Sequence, residues 1–293
     1  MKVIIAYDGS TYADAAIDDL PRAGLQRDSS VLVMTVADSS ASISAVSEFD
    51  LISAASRRVD SALAQTKSHQ AREFKDVGRK SMMAAQRLRE QFPEWKIRSE
   101  VLLGNPVDEL LRKTETWNAD LIICGSQGRS AIGRFFLGSV SRSVAERSTS
   151  SVRIVRRGTD KTNNAPIEVI LGAKDPTEAE KLVKAVGRRV WPADTRVRLV
   201  AIDDGVSVGR VSAFYSDGKA IYQSIVEPLK DILVNISVQI ESGNPKAVLL
   251  AAAEERQADA IFVVGGSSPN NDGLDETAAG LATGAKCTTE FVR

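Results

Sequence analysis

The sequence has few of the residues that stabilise small secreted domains or bind structural metals. Its 293 residues include only two cysteines, Cys124 and Cys287, and a single histidine, His69. Two cysteines so far apart provide neither a disulfide framework nor a zinc-binding spacing, and they fit a reducing compartment. His69 lies in the polar stretch Thr-Lys-Ser-His-Gln, which favours a solvated helix face over a catalytic role.

Net charge and long apolar runs are also missing. Lys and Arg together number 38, as do Asp and Glu, so the formal net charge is zero. A dedicated nucleic-acid-binding domain usually carries a basic excess. No stretch approaches the roughly 18 apolar residues that a membrane-spanning helix needs, and Asp8 interrupts the apolar run near residue 1. These absences predict a soluble cytoplasmic protein that binds neither nucleic acid nor membrane.

What the sequence does contain is a regular alternation of short apolar runs and helical patterns. The alternation predicts an α/β fold, with a parallel sheet covered by helices on both faces. The helical pattern over 41–92 is unusually long, and we expect it to break near Gly78. Residues 158–165 are polar and predict a linker, after which the pattern begins again. We therefore predict two domains, 1–157 and 166–293.

A repeated motif indicates that the second domain is a copy of the first. Gly104-Asn105-Pro106 recurs as Gly243-Asn244-Pro245, at an offset of 139 residues. Further residues recur at the same offset, Leu110-Leu111 as Leu249-Leu250 and Ala119-Asp120 as Ala258-Asp259. So long a period excludes a solenoid and indicates duplication of a whole domain.

A glycine-rich segment, 125–141, separates a predicted strand from a predicted helix. Gly125 follows the apolar run 121–124, and Gly138-Ser139 begins the helix. Backbone N–H groups and the helix dipole make such a start an anion-binding site. The segment is not a P-loop, because Arg134 and Phe135 stand where Lys and Ser or Thr are required, and the sequence has no G-x-G-x-x-G fingerprint.

The spacing Gly125-x2-Gly128-x9-Gly138-Ser139, together with Val3–Ser10, resembles the ATP-binding branch of the universal stress protein family. Both halves share the resemblance, so the chain is similar to a tandem member. The resemblance implies two parallel α/β sandwiches of the adenine nucleotide alpha hydrolase type, each with strand order 3-2-1-4-5. It also implies one ATP, with Mg²⁺, bound by a set of residues along the carboxyl ends of the strands. That set is Ala6, Tyr7, Asp8, Val36, Cys124, Gly125, Gln127, Gly128, Arg129, Gly138, Ser139, Val140 and Ser141.

The resemblance also implies a role for each part of this set. Ala6, Tyr7 and Val36 would contact the adenosine, and the loop that begins at Gly125 would wrap the ribose and phosphates. The four residues 138–141 would hold the phosphates. Asp8 would lie near the adenosine or bind the Mg²⁺, and the alternative is that it caps the following helix. Cys124 is interpreted as a strand residue beneath the ligand rather than a nucleophile.

The second half departs from this pattern. Lys174 aligns with Asp8, and Asp275-Glu276-Thr277 align with Gly138-Ser139-Val140. Acidic residues at a phosphate site oppose binding, so we expect one nucleotide per chain, in the first half.

The function that follows is an ATP-binding stress-response sensor or regulator, with no catalytic residue assigned. A slow ATPase and a nucleotide-free scaffold remain as alternatives. The two domains are expected to pair within the chain through their last strands. A homodimer and an unknown protein partner, contacted through the irregular stretch Val206–Lys219, are left open.

Overall fold

The first half of the chain forms a five-stranded α/β layer in the computed structural model. The structure describes residues 1–37, 76–127, 137–156, 165–203, 218–265 and 274–293. The strands of the first half are β1 (Lys2–Ala6), β2 (Ser30–Ala37), β3 (Lys96–Leu103), β4 (Leu121–Gly125) and β5 (Ser151–Val155). Its helices are α1 (Thr11–Asp18), α2 (76–91), α3 (Pro106–Trp117) and α4 (Ser139–Arg147), and a 3₁₀ turn covers Leu20–Arg22.

The second half repeats the arrangement. Its strands are β6 (Glu168–Ala173), β7 (Arg196–Asp203), β8 (Asn235–Ser242), β9 (Ala260–Val264) and β10 (Thr288–Val292). Its helices are α5 (Pro176–Gly187), α6 (Gly218–Val226), α7 (Pro245–Arg256) and α8 (Glu276–Gly284), and a 3₁₀ helix covers Glu227–Asp231.

The strands of both halves form one ten-stranded sheet in the order β3-β2-β1-β4-β5-β10-β9-β6-β7-β8. Each half is parallel and has the predicted order 3-2-1-4-5, so the predicted fold class is confirmed. The halves meet where β5 and β10 pair antiparallel, with Glu290 directly opposite Arg153. The two carboxyl edges, where ligands bind in parallel α/β sheets, therefore lie at opposite ends of the molecule.

The apolar runs form strands because the central strands are covered on both faces, as in parallel sheets generally. On one face, α3, α4, α7 and α8 share a core that continues across both halves. On the other face, α1 and α2 enclose a core of the first half, and α5 and α6 enclose one of the second. Alternate residues of β1 serve the two faces, with Ile4 in the shared core and Ile5 in the core beneath α1.

The repeat in the sequence is a repeat in the fold. Asn105 and Asn244 cap α3 and α7 through their side chains, with proline as the first helical residue in each case. Both helices end in a left-handed residue, Asn118 and Gln257, each with φ 50°. The strands β3 and β8 begin 139 residues apart, whereas β2 and β7 begin 166 apart. The second half is thus 27 residues shorter between these strands, the difference of the two offsets.

Three expectations need comment. The helix α2 passes through Gly78, so the predicted break at that glycine is wrong for the described part, 76–91. The α6 helix ends at Val226 because Pro228 follows; proline lacks an N–H and clashes with the preceding turn. Residues 157–164, which form most of the predicted linker, and 204–217, which cover most of the predicted partner loop, lie outside the described residues.

Buried ion pairs hold the two halves together. The guanidinium of Arg153, which is 0% exposed, donates to Asp19 at 2.6 Å and to Glu290 at 3.0 Å. Arg189, from the loop after α5, donates to the other oxygen of Glu290 and to the carbonyl of Ala23. Carboxylates on both sides raise the pKa of Arg153, although its burial acts in the opposite direction. A charged cluster buried this deeply tolerates no loss of a partner.

A second pair of arginines is exchanged between the halves. Arg156, just after β5, donates to the carbonyls of Ala282 and Thr283 at the end of α8. Arg293, just after β10, donates to the carbonyl of Ala145 at 2.6 Å, near the end of α4. Cations at helix C-termini are favourable because the carbonyls there are unpaired and the dipole is negative. Each half therefore stabilises a helix of the other.

Candidate functional site

The candidate site lies at the carboxyl edge of the first half, where β1, β2 and β4 end side by side. Ala6 pairs with Met34 of β2 and with Cys124 of β4 in the strand register. Ala6, Val36, Cys124 and Val140 all belong to, or pack on, the shared core that α3 and α4 cover. The structure therefore brings these four predicted residues to one face of the sheet.

The start of α4 provides the groups that an anion requires. Gly138 is the N-cap in an extended conformation, and no side chain of the described residues caps the helix there. The Gly138 N–H donates to the carbonyl of Ser126 at 2.8 Å, and the Ser126 N–H donates to Val155 at 2.8 Å. These bonds hold the helix start against the sheet edge, and Ser139 is exposed there. First-turn N–H groups without a side-chain cap can bind an anion.

Ser141 and Gly125 have packing roles that the sequence did not reveal. The Ser141 hydroxyl donates to the carbonyl of Gly125 at 2.6 Å, which joins the first turn of α4 to the end of β4. A Cβ on Gly125 would lie 2.5 Å from the carbonyl oxygen of Tyr12, in the backbone of α1. Gly125 is therefore required by close packing of α1, whereas the sequence had suggested a positive φ or a close ligand approach.

Tyr7 lies on the other face of the sheet from the residues that pack beneath α4. Its ring belongs to the core under α1, and its hydroxyl donates to Asp14 at 2.8 Å. Burial raises the pKa of Tyr7, and the hydrogen bond to Asp14 and the negative charges of Asp14 and Asp8 raise it further. The structure thus separates Tyr7 from Ala6 and Val36, although all three were assigned to the adenosine.

Asp8 follows β1 at the same edge. Its Oδ1 accepts a hydrogen bond from the Ser10 N–H at 2.9 Å. Ser10, rather than Asp8, is the N-cap of α1, because its hydroxyl accepts from the Ala13 N–H at 3.2 Å. The alternative that Asp8 caps the helix is therefore wrong. Within the described ranges, no group of three potential metal ligands is present. A single carboxylate suits Mg²⁺ that is held mainly by phosphates and water.

The remaining predicted residues are buried or lie outside the description. Burial raises the pKa of the Cys124 thiol to about 12, so it is neutral and unreactive at physiological pH. Gln127 is buried beside the strand end. Gly128 and Arg129 lie outside the described residues.

The corresponding position in the second half is occupied by an ion pair. Lys174 Nζ lies 2.6 Å from Asp275 Oδ2 and 3.5 Å from Glu178 Oε1. Asp275 also caps α8 by accepting from the Ala278 N–H at 2.8 Å. Burial lowers the pKa of Lys174, but the bonds and charges of these two carboxylates outweigh it, so its pKa is raised. The cavity beside them has a volume of ≈ 10 Å³, which is space for about one water molecule.

Comparison with known proteins identifies the family. The model of the universal stress protein family matches residues 1–156, more than half of the chain. The chain belongs to the universal stress protein family. Among curated relatives, two universal stress proteins of Methanocaldococcus jannaschii are 31% identical over 86 residues and 32% identical over 63 residues. These matches cover 29% and 22% of this chain, and 49% and 39% of the relatives, which is about half of their length or less.

Solved structures match over the whole chain at the level of the fold. A universal stress protein from Archaeoglobus fulgidus DSM 4304 aligns with a TM-score of 0.58 and 19% identity, over 100% of this chain and 98% of that one. A functionally unknown protein from Pseudomonas aeruginosa PAO1 aligns with a TM-score of 0.65 and 10% identity, over 99% and 92%. None of the helices in the described residues is long and apolar enough to cross a membrane.

Sequence analysis missed the charged junction between the halves. Its signal was present, because Arg153 and Glu290 each stand in the middle of a five-residue strand whose other residues are mostly apolar or hydroxylated. A charge at such a buried position requires a partner, and the positions are 137 residues apart, the offset at which β5 and β10 correspond.

Proposed function

We propose that this chain is a nucleotide-binding stress-response regulator that holds one ATP, at the carboxyl edge of its first half. The observation that carries the proposal is the uncapped start of α4 at Gly138, beside the ends of β1 and β4. In α8, the same position is filled by the Asp275 carboxylate. The difference matches the two states of a phosphate site, one available to an anion and one occupied by a side chain.

The proposed roles follow from the contacts. The N–H groups at the start of α4 and the exposed Ser139 hydroxyl would bind the phosphates. Ser141 would act as a positioning residue, because its hydroxyl is bonded to Gly125. Ala6 and Val36 would lie beneath the adenosine, and Asp8 would reach a phosphate-bound Mg²⁺. ATP in that position supplies the negative charge that the helix start lacks.

A regulatory role is supported by the second contact of α4. The N-terminus of this helix would hold the phosphates, while Ala145 near its other end accepts a hydrogen bond from Arg293 of the second half. Any movement of α4 on binding would therefore reach the junction between the halves. A ligand can shift a conformational equilibrium only by its differential affinity for the two states, and α4 provides such a difference.

The test is the nucleotide content of the purified chain. Protein prepared without added ATP is denatured, and the supernatant is analysed by ion-exchange chromatography. We expect about one ATP per chain from the wild type and none from Gly138→Asp. A carboxylate about 4 Å from a phosphate costs on the order of 4 kcal/mol at an effective dielectric constant of 20, roughly a thousandfold in affinity.

Gly138→Asn is the matched control, because Asn has the shape of Asp and caps helices equally well without the charge. It should retain more nucleotide than Gly138→Asp if charge decides binding. Two nucleotides per wild-type chain would contradict the single site. No nucleotide, followed by no thermal shift with Mg-ATP, would leave the scaffold function. The ADP fraction in the released pool reports turnover and so tests the ATPase alternative.

A further inference from the structure

A large cleft lies away from the candidate nucleotide site, between the amino edge of the first-half strands and α5. Its volume is ≈ 640 Å³, within the range of small-molecule sites. One wall carries Asp120, Thr149, Ser150 and Ser151, which precede or begin β4 and β5. The opposite wall is the last two turns of α5 and the residues that follow them.

The cleft is strongly basic although the chain as a whole is neutral. Five cationic side chains line it, against two carboxylates, an excess of three positive charges, while the formal net charge of the chain is zero. The cations are Lys181, Lys184, Arg188, Arg189 and Arg293, and the carboxylates are Asp120 and Glu290. Glu290 is already bonded to Arg153 and Arg189.

Three of these cations are available to a ligand. Lys181, Lys184 and Arg188 are exposed, and none has an ion-pair partner among the described residues. Their spacing of three and four residues places them on one side of α5. At 1.5 Å per residue, the row extends over about 10 Å. A single phosphate cannot contact a row of this length.

The duplicated fold contains an internal comparison. Buried residues of α1 and the turn after it, Ala13, Ala16, Ile17 and Leu20, match Ala179, Leu182, Val183 and Val186 at an offset of 166. At the same offset, Arg188 corresponds to Arg22, and at an offset of 139 Asp120 corresponds to Asp259. Both aspartates accept the N–H of a strand's first residue, Lys2 at 2.7 Å and Glu168 at 2.8 Å.

The two equivalent places differ in one respect, because the other one is closed. Arg22 pairs with Asp259 at 2.9 Å, with 11% and 8% of their side chains exposed. It also donates to the carbonyls of Ala165 and Pro166. On the open side, Arg188 and Asp120 are both exposed and do not pair. Where the open side has Lys181 and Lys184, the closed side has Ala15 and Asp18.

We propose that this basic cleft is a second binding site, which takes a small molecule carrying two or more phosphate groups. The three cations of α5 would bind the phosphates, and the hydroxyls of Thr149, Ser150 and Ser151 would bind them from the opposite wall. Lys184 and Arg188 also complement the C-terminal end of the α5 dipole. That role requires neither Lys181 nor an open cleft, so it does not account for the arrangement.

The test uses isothermal titration calorimetry with three probes: sodium tripolyphosphate, fructose 1,6-bisphosphate and orthophosphate. All titrations use the Gly138→Asp chain, in which the candidate nucleotide site is blocked. The variant K181A/K184D, added to this background, introduces the residues of the closed side. The control is K286A/K230D, which makes the same change in net charge at exposed lysines of the second half. Thermal unfolding verifies that each variant is folded.

We expect tripolyphosphate or the bisphosphate to bind once per chain, and orthophosphate to bind at least about tenfold more weakly. K181A/K184D should weaken the better probe by about tenfold or more, while the control changes it little. The tighter of the two probes assigns adjacent or separated phosphates. Absence of binding, equal affinity for orthophosphate, or equal losses in the two double variants would overturn the proposal.

Discussion

The two halves of this chain share a fold but differ at the edge where a ligand would bind. In the first half, Asp8 follows β1 and the bare backbone of Gly138 begins α4. In the second, Lys174 and Asp275 stand at these positions and bind each other at 2.6 Å. The exchange of two residues thus replaces an anion site with an internal ion pair. Because Asp275 also caps its helix, the second half needs no ligand to satisfy the helix start.

The halves also differ in charge where they meet. Arg153 and Glu290 occupy equivalent positions of β5 and β10 and lie opposite each other. Two copies of the first half joined through β5 would place Arg153 against Arg153, and two copies of the second would oppose Glu290 to itself. Like charges buried face to face are costly. The junction therefore favours the pairing of unlike halves within one chain over pairing of either half with its own copy.

The largest effect on stability is expected from Glu290→Gln, which removes this complementarity. The change leaves the buried Arg189 without its carboxylate and Arg153 with Asp19 alone. Breaking a buried ion pair in this way costs about 3–5 kcal/mol. Chemical denaturation of the full chain measures the change in the free energy of unfolding.

Glu254→Gln is the control for Glu290→Gln. It removes a carboxylate of the same kind from an ion pair with Lys286, in which the side chains are 70% and 69% exposed. We expect its unfolding curve to be close to that of the wild type. Equal losses in the two variants would mean that the buried network does not hold the halves together.

A smaller loss is expected from Gly125→Ala, which tests why the halves differ at the end of their fourth strands. The new Cβ would lie 2.5 Å from the Tyr12 carbonyl oxygen, so α1 or β4 must move. Overpacking of this kind costs about 1–3 kcal/mol. The second half has Val264 at the equivalent position.

Gly78→Ala is the matched control for this substitution. A Cβ there would meet its nearest neighbour, a methyl of Val101, at 3.9 Å. The position lies within α2, where alanine is favoured over glycine by about 1 kcal/mol. The same chemical change should therefore stabilise one site and destabilise the other. Stabilisation of both would show that Gly125 is not held by packing.

Much of this architecture could be predicted from local sequence, because buried parallel strands are continuous apolar runs and helix starts have their own signals. The Asn-Pro starts of α3 and α7 and the glycine start of α4 are examples. What could not be predicted depends on neighbours distant in sequence. The motif placed Tyr7 beside Ala6 in the site, yet strand alternation turns Tyr7 toward Asp14. The contact of Gly125 with Tyr12 likewise exists only after α1 has packed.

The smallest effect is expected from Lys174→Met, which removes the ion pair that distinguishes the second half. The side chains of Lys174 and Asp275 are 29% and 21% exposed, so the pair is partly screened and contributes about 1 kcal/mol at pH 7. The pKa of Lys174 is raised in the folded chain above its ordinary 10.5. The lysine therefore contributes its stability below pH 10.5, and loses it as the pH rises through the folded value. The difference between wild type and variant, measured by urea denaturation, should disappear in the alkaline range above pH 10.5. Lys230→Met, at an exposed pair with Glu227, should show little difference at either pH. A difference for Lys174→Met that persisted unchanged in strong alkali would mean that the side chain stabilises the second half by packing rather than by charge.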